Sequence, residues 1–137
     1  MTGKPLAAAI LAAASIATAP VAHANPDVVP IVRTAIGRPY RWGAAGPDAF
    51  DCSGLVVWAY AQIGTALPHS SQALARGGQP IARANLEPGD VVVYYRAATH
   101  VGLYSGDGMV IHASTPGRPV VEVPIDAAGP YNQARRC

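Results

Sequence analysis

Cys52 and three imidazoles, His69, His100 and His112, are the side chains of this chain best suited to nucleophilic and proton-transfer chemistry. Cys52 stands directly before an apolar run, SGLVVWAYAQI at residues 53–63. A thiol attacks a carbonyl as its anion, and an ordinary cysteine is mostly protonated at neutral pH. The start of a helix offsets that cost, because unpaired N–H groups and the helix dipole favour negative charge there. An imidazolium alongside would complete a Cys-His nucleophile pair.

The spacing of His100 and His112 selects them from the three. The segments HVGLYS, residues 100–105, and GMVIHAS, residues 108–114, flank a turn. With Gly106 at its centre, Leu103 faces Met109, Val101 faces Ile111 and His100 faces His112. Opposed residues of an antiparallel pair project on one face. The two imidazoles then share one face and the four apolar residues share the other. A two-residue Gly106-Asp107 turn would split the histidines between faces, so an odd-numbered loop is expected. In this register His112 accepts the ring N–H of His100 and orients it toward Cys52, as the third member of a nucleophilic triad does.

Three blander readings compete. Cys52 could form a structural disulfide with Cys137, since both would lie in an oxidising compartment if the chain is exported. One Cys and two His can also be zinc ligands with a fourth position left for water, although no acidic residue is placed to act as base. Single histidines are often no more than surface polar groups.

The elements that must position these residues are legible from periodicity. Residues 27–36, DVVPIVRTAI, carry apolar positions at helical spacing, with Asp27 as cap, Pro30 in the first turn and Gly37 as stop. Residues 38–50, RPYRWGAAGPDAF, are rich in Gly, Pro and aromatics, which predicts an irregular loop. The 53–63 run is apolar on nearly every face, which predicts a buried central helix ending at Gly64. HSSQALARGG, residues 69–78, has room for a helical turn or two. Residues 89–96, 100–105, 108–114 and 119–125 are short, rich in Val, Ile and Tyr and bounded by turn residues, which predicts antiparallel strands. Helices first and strands second predict an α+β domain.

Length and composition bound the rest. Lys4 followed by the apolar run of residues 6–17 and by Ala22-His23-Ala24 has the form of an export signal ending at residue 24. That run is shorter than the about 20 residues needed to span a bilayer. Residues 25–137 are then expected to form one domain, with no stable membrane span after processing. Without Lys4 the balance is nine Arg against eight Asp plus Glu, and no basic stripe marks a nucleic-acid partner.

RPYRWG, FDCSGLV, LPHSS, LEPGDVVVYY and THVGLYSGDGMVIHAS, in that order, resemble the signature blocks of the NlpC-type cell-wall cysteine peptidases, a papain-like branch. The resemblance covers residues 33–125. It implies a papain-like α+β fold and a peptidase acting on peptidoglycan stem peptides without a cofactor, with Cys52 as nucleophile, His100 as general base and His112 as the orienting residue. It further implies that Tyr40 donates to the developing oxyanion or holds substrate, and that Asp51 and Ser53 contact the substrate peptide; Asp51 is also a helix cap by position. The implied bond joins a D-glutamyl side chain to a diamino acid, in a secreted or periplasmic, wall-associated protein. Gly43-Ala44 departs from the family's usual Gly pair. No wall-binding repeat accompanies the blocks, so targeting is expected from the domain itself or from an activating or targeting protein. A non-catalytic wall-binding module, or an amidase or acyltransferase on the same fold, would carry the same blocks.

Overall fold

The computed structural model describes residues 23–137; the expected export segment, residues 1–24, lies outside them but for its last two residues. The elements run α1 (Val28–Arg33), α2 (Cys52–Ala61), α3 (Ser71–Leu74), β1 (Gln79–Ile81), β2 (Val91–Tyr94), β3 (His100–Gly106), β4 (Met109–His112), β5 (Val121–Pro124) and β6 (Tyr131–Arg136). This is the expected α+β order, helices before an antiparallel sheet.

The helix starts obey one conformational rule. Asp51 and Ser70 precede α2 and α3 in extended backbone, and their side chains accept from the N–H of Gly54 and Ala73. An N-cap side chain reaches back to the first turn from that conformation. Asp27, expected to cap α1, is already helical and makes no capping bond. Instead Asn25 Oδ1 accepts from the Asp27 N–H at 3.2 Å.

The sheet has six strands in the order β1-β6-β2-β3-β4-β5. Four were expected from sequence and two were not. β1 is an edge strand carrying Pro80, where a missing donor is tolerated. β6, YNQARR, lies between β1 and β2 although it has no apolar alternation. Its buried positions are Ala134 and Arg136. The Arg136 guanidinium is held by both Asp90 oxygens at 2.8 Å and by the Asn85 carbonyl at 3.1 Å, which is how a charged side chain occupies a core position.

The sheet is covered on both faces. Val28 and Val32 of α1 and Leu55, Val56 and Ala59 of α2 pack with Val91, Val93, Val101, Leu103 and Ile111 in the larger core. Val92, Tyr94 and Val110 form a smaller cluster with Ile125 and Ala128 of a 3-10 turn, Ile125–Ala128. The alternation along β2 and β3 therefore sends odd positions to the helices and even ones away from them.

The β3–β4 register differs from the expected one by two residues. Leu103 pairs with Ile111 and Tyr104 with Val110, and a bulge then brings Gly106 opposite Met109. The turn is the two-residue Asp107-Gly108, with both at positive φ. The bulge adds a residue on one strand, so the histidines keep a common face, for a reason other than an odd-numbered loop. Met109 lies beyond the bulge and leaves the apolar layer that Val101, Leu103 and Ile111 form.

Candidate active site

Cys52 is the first residue of α2, and the Asp51 carboxylate anchors that helix start to its surroundings. Asp51 Oδ1 accepts from Gly54 N–H at 2.7 Å and pairs with His69 Nε2 at 2.8 Å, while Oδ2 accepts from Gly43 N–H at 2.9 Å. The Asp51 N–H donates to the Ala44 carbonyl at 2.9 Å, and Tyr40 is bridged to Phe50. The irregular loop is thus laced onto the helix start. Gly54 makes the approach possible: a Cβ there would stand 1.9 Å from the Ala44 oxygen.

The Cys52 sulfur lies against the start of β3. Its thiol is 4.0 Å from the Thr99 carbonyl oxygen, and the Val101 N–H favours its anionic form. These two residues flank His100. On the same stretch of chain, His100 Nε2 is 2.7 Å from His112 Nδ1, both rings buried. Gly102 faces His112 across the ladder, and a Cβ there would press on the His112 Cβ at 3.2 Å. The missing side chain leaves room for the His112 ring to lean toward His100, which also packs on the Tyr94 ring.

Burial decides the ionisation of these groups. It pushes the Cys52 thiol above its ordinary value, against the pull of the N–H groups of Val101, Ser53 and Cys52 itself. The sequence-based expectation of a lowered thiol is therefore reversed. His100 is pushed down to about 4 by burial and then by the charge of His112, which burial also lowers. At neutral pH the pair is an uncharged thiol and an uncharged imidazole. Tyr40 is raised by burial and then by the charges of Cys52 and Asp51, so its phenol stays a donor.

An open cavity of about 560 Å³ has Cys52, Asp51, Ser53, His69, Trp42 and Thr99 in its wall. Tyr40 lines a separate hollow, with Arg118. The structure thus groups Cys52, Asp51 and Ser53 in one wall, with His100 at the start of β3 next to Thr99 of that wall and His112 at the end of β4 bonded to it. His69, set aside when the three imidazoles were weighed, lies in the cavity wall on the cap of α2. Its LPHSS segment gave no signal of that contact, which joins residues 18 apart.

The match to a family model settles the relationship: residues 37–134 fit the NlpC/P60 family. This chain belongs to the NlpC/P60 family. It is 58% identical over 109 residues, 80% of its length, to a probable endopeptidase of Mycobacterium tuberculosis, of which it covers 28%. It is 48% identical over 129 residues to a probable endopeptidase of Corynebacterium glutamicum, covering 94% of this chain and 61% of that protein. The chain therefore spans less than two thirds of these relatives. Among solved structures, the NlpC/p60 domain of the peptidoglycan hydrolase SagA superposes with a TM-score of 0.75 at 28% identity, covering 82% of this chain and 99% of that one. NlpC2 from Trichomonas vaginalis gives 0.75 at 35% identity, covering 85% of this chain and 49% of that one.

Within this NlpC/P60 domain both cysteines are free thiols. Among the described residues no group of three His, Cys, Asp or Glu side chains converges as metal ligands.

Proposed function

We propose that this NlpC/P60 chain is a cysteine endopeptidase that hydrolyses peptidoglycan stem peptides at a D-glutamyl side-chain bond to a diamino acid. The observation that carries this reading is a free thiol at the first position of a buried helix, in the wall of an open cavity, against the backbone flanking a histidine-bonded histidine. The kinship with endopeptidases and with a peptidoglycan hydrolase supports the substrate class.

Cys52 is the nucleophile. Because thiol and imidazole are both neutral at rest, His100 takes the proton as the sulfur attacks rather than holding a preformed thiolate. That role requires His100 to carry its remaining proton on Nε2 and donate it to His112 Nδ1, leaving Nδ1 of His100 as the base. The amide carbonyl becomes a tetrahedral oxyanion, to which the Tyr40 hydroxyl donates. His100 then returns the proton to the leaving amine as the C–N bond breaks, leaving a thioester on Cys52. Water gives a proton to His100 and its oxygen to the acyl carbon, and the thiol leaves with that proton. Asp51 and Ser53 line the acyl side of the cleft. The protein acts at the cell wall after export, directed by the domain itself or by a targeting or activating protein.

The test is digestion of purified muropeptides followed by mass analysis. The parent protein yields new amino termini at the diamino acid. Cys52→Ala abolishes cleavage, with its circular-dichroism spectrum intact; a Cys52→Ala protein that cuts at the parent rate overturns the assignment. Thiol titration of the secreted protein separates enzyme from wall-binding module: fast modification of Cys52 supports the enzyme, and a blocked Cys52 supports the module.

A further inference from the structure

Asp51 places a carboxylate directly beside Cys52, where its charge works against a sulfur anion. Burial does most to push the Cys52 thiol up, and the Asp51 charge adds to it. The carboxylate is nonetheless fixed in place, because it caps α2 and holds the Gly43 N–H of the irregular loop. What can still be adjusted is how strongly its charge is felt, which depends on the donors that draw on its oxygens.

Four donors do so among the described residues. The Gly54 N–H at 2.7 Å, His69 Nε2 at 2.8 Å and the Ser53 hydroxyl at 3.4 Å reach Oδ1, and the Gly43 N–H at 2.9 Å reaches Oδ2. A carboxylate oxygen only accepts, so Nε2 of His69 carries the proton of its bond whether the ring is neutral or charged. The two backbone donors belong to the helix start and its loop, and the Ser53 contact is long. His69 comes instead from the LPHSS segment, 18 residues away, and its ring is one-third exposed in the wall of the cavity that holds Cys52.

The titratable groups that face the sulfur are Asp51 at the helix cap, His69 ahead of α3, His100 from β3 and Tyr40 from the loop. His100 is uncharged at neutral pH, pushed down to about 4 by burial and then by His112. Tyr40 is held as the neutral phenol by burial and then by the charges of Cys52 and Asp51. The Asp51–His69 pair is therefore where the charge beside Cys52 is set.

We propose that His69 is a positioning residue for the Cys52 nucleophile, its ring N–H drawing the Asp51 charge off the sulfur so that one carboxylate can cap α2 without suppressing the thiolate. The inference rests on the endopeptidase reading above, in which Cys52 attacks, and adds a residue that acts through Asp51.

The experiment measures the rate at which iodoacetamide alkylates Cys52, against pH, in the folded parent, His69→Ala and His69→Gln proteins. Mass spectrometry of the peptide carrying Cys52 follows it. The midpoint of the profile reports the thiolate. His69→Ala is expected to raise the midpoint by about half a unit, part of the roughly one to three units a neighbouring charge is worth. At a pH below the midpoint that slows alkylation about threefold, and kcat for muropeptide cleavage falls by a like factor. His69→Gln, whose amide can donate from the place of Nε2, recovers most of the loss.

A strut with no electrostatic role gives the opposite sign: losing it lets water reach the sulfur, and the midpoint falls toward that of an ordinary thiol. A midpoint that falls or stays in His69→Ala overturns the proposal. Asp51→Asn keeps a capping side chain and removes the charge, so it is expected to lower the midpoint by itself, and a parent-like midpoint there overturns the proposal as well. In the Asp51→Asn background His69→Ala is expected to leave the midpoint in place; a shift as large as in the parent background means that His69 does not act through Asp51. Alkylation needs no peptide, so a parent that cuts no muropeptide removes the endopeptidase reading and is told apart from either failure.

Discussion

His100 Nε2 and His112 Nδ1 are 2.7 Å apart although the two residues are not partners across the β3–β4 ladder. Gly102 faces His112, and the contact is a diagonal one over the space its absent side chain leaves. A diagonal pair on one sheet face comes within reach when one neighbour is a long or aromatic side chain. The orientation of the proposed base thus depends on a glycine as much as on a histidine.

Replacing His112 by Ala removes the acceptor while leaving His100 in place. It is expected to lower kcat by about 10²-fold with little change in KM, within the range for general acid–base catalysis. His112→Asn offers a carbonyl oxygen for the same bond and recovers part of the loss. Steady-state kinetics on a muropeptide decide it: equal rates for Ala and Asn variants mean that the bond has no orienting role.

The depressed His100 sets the acid side of the pH profile. A base must be unprotonated to accept the thiol proton, so kcat/KM rises with pH through about 4 rather than through 6.5. His112→Asn deletes the charge that contributes to the lowering, and the limb moves upward while burial keeps it below 6.5. A parent limb at 6.5 places the base in water, contrary to this site.

The same shift makes the fold acid-sensitive. Between about 4 and 6.5 the unfolded chain binds a proton at His100 that the folded one does not. Stability is therefore full above 6.5 and falls as pH drops toward 4. The loss is 6.5 minus about 4, times 1.36 kcal/mol per unit, or on the order of 3 kcal/mol. Urea unfolding at pH 7.5 and 4.5 measures it; a flat profile, with the carboxylate contribution calibrated on His100→Gln, contradicts the buried imidazole.

Two positions beside the sulfur test the helix start. Asp51→Ala removes the cap of α2 and the carboxylate that holds Gly43 and His69, and is expected to cost about 2 kcal/mol. Gly54→Ala puts a methyl against the Ala44 oxygen, which must move with its loop, at a cost of about 3 kcal/mol. Both are read by urea unfolding, and a neutral Gly54→Ala shows that the loop does not lie against α2.

The local part of this architecture was written in residue type and spacing. Asp51 before Cys52 and an apolar run after it specify a capped, buried helix with sulfur at its first position, because capping and burial there involve neighbours within a turn or two. The Val-rich runs specify β2 to β5 for the same reason. Long-range contacts were not written there. β6 reads as a polar tail until Asp90, 46 residues away, neutralises Arg136. The β3–β4 register turned on a bulge whose choice depends on β2 and β5 holding either side. Asp51 was expected to face substrate, and only the fold brings Gly43 and His69 onto its carboxylate. Ionisation was least legible of all. A helix start alone lowers a thiol, but how far water is excluded from Cys52 and His100 is set by every element packed around them, and that burial outweighs the local dipole.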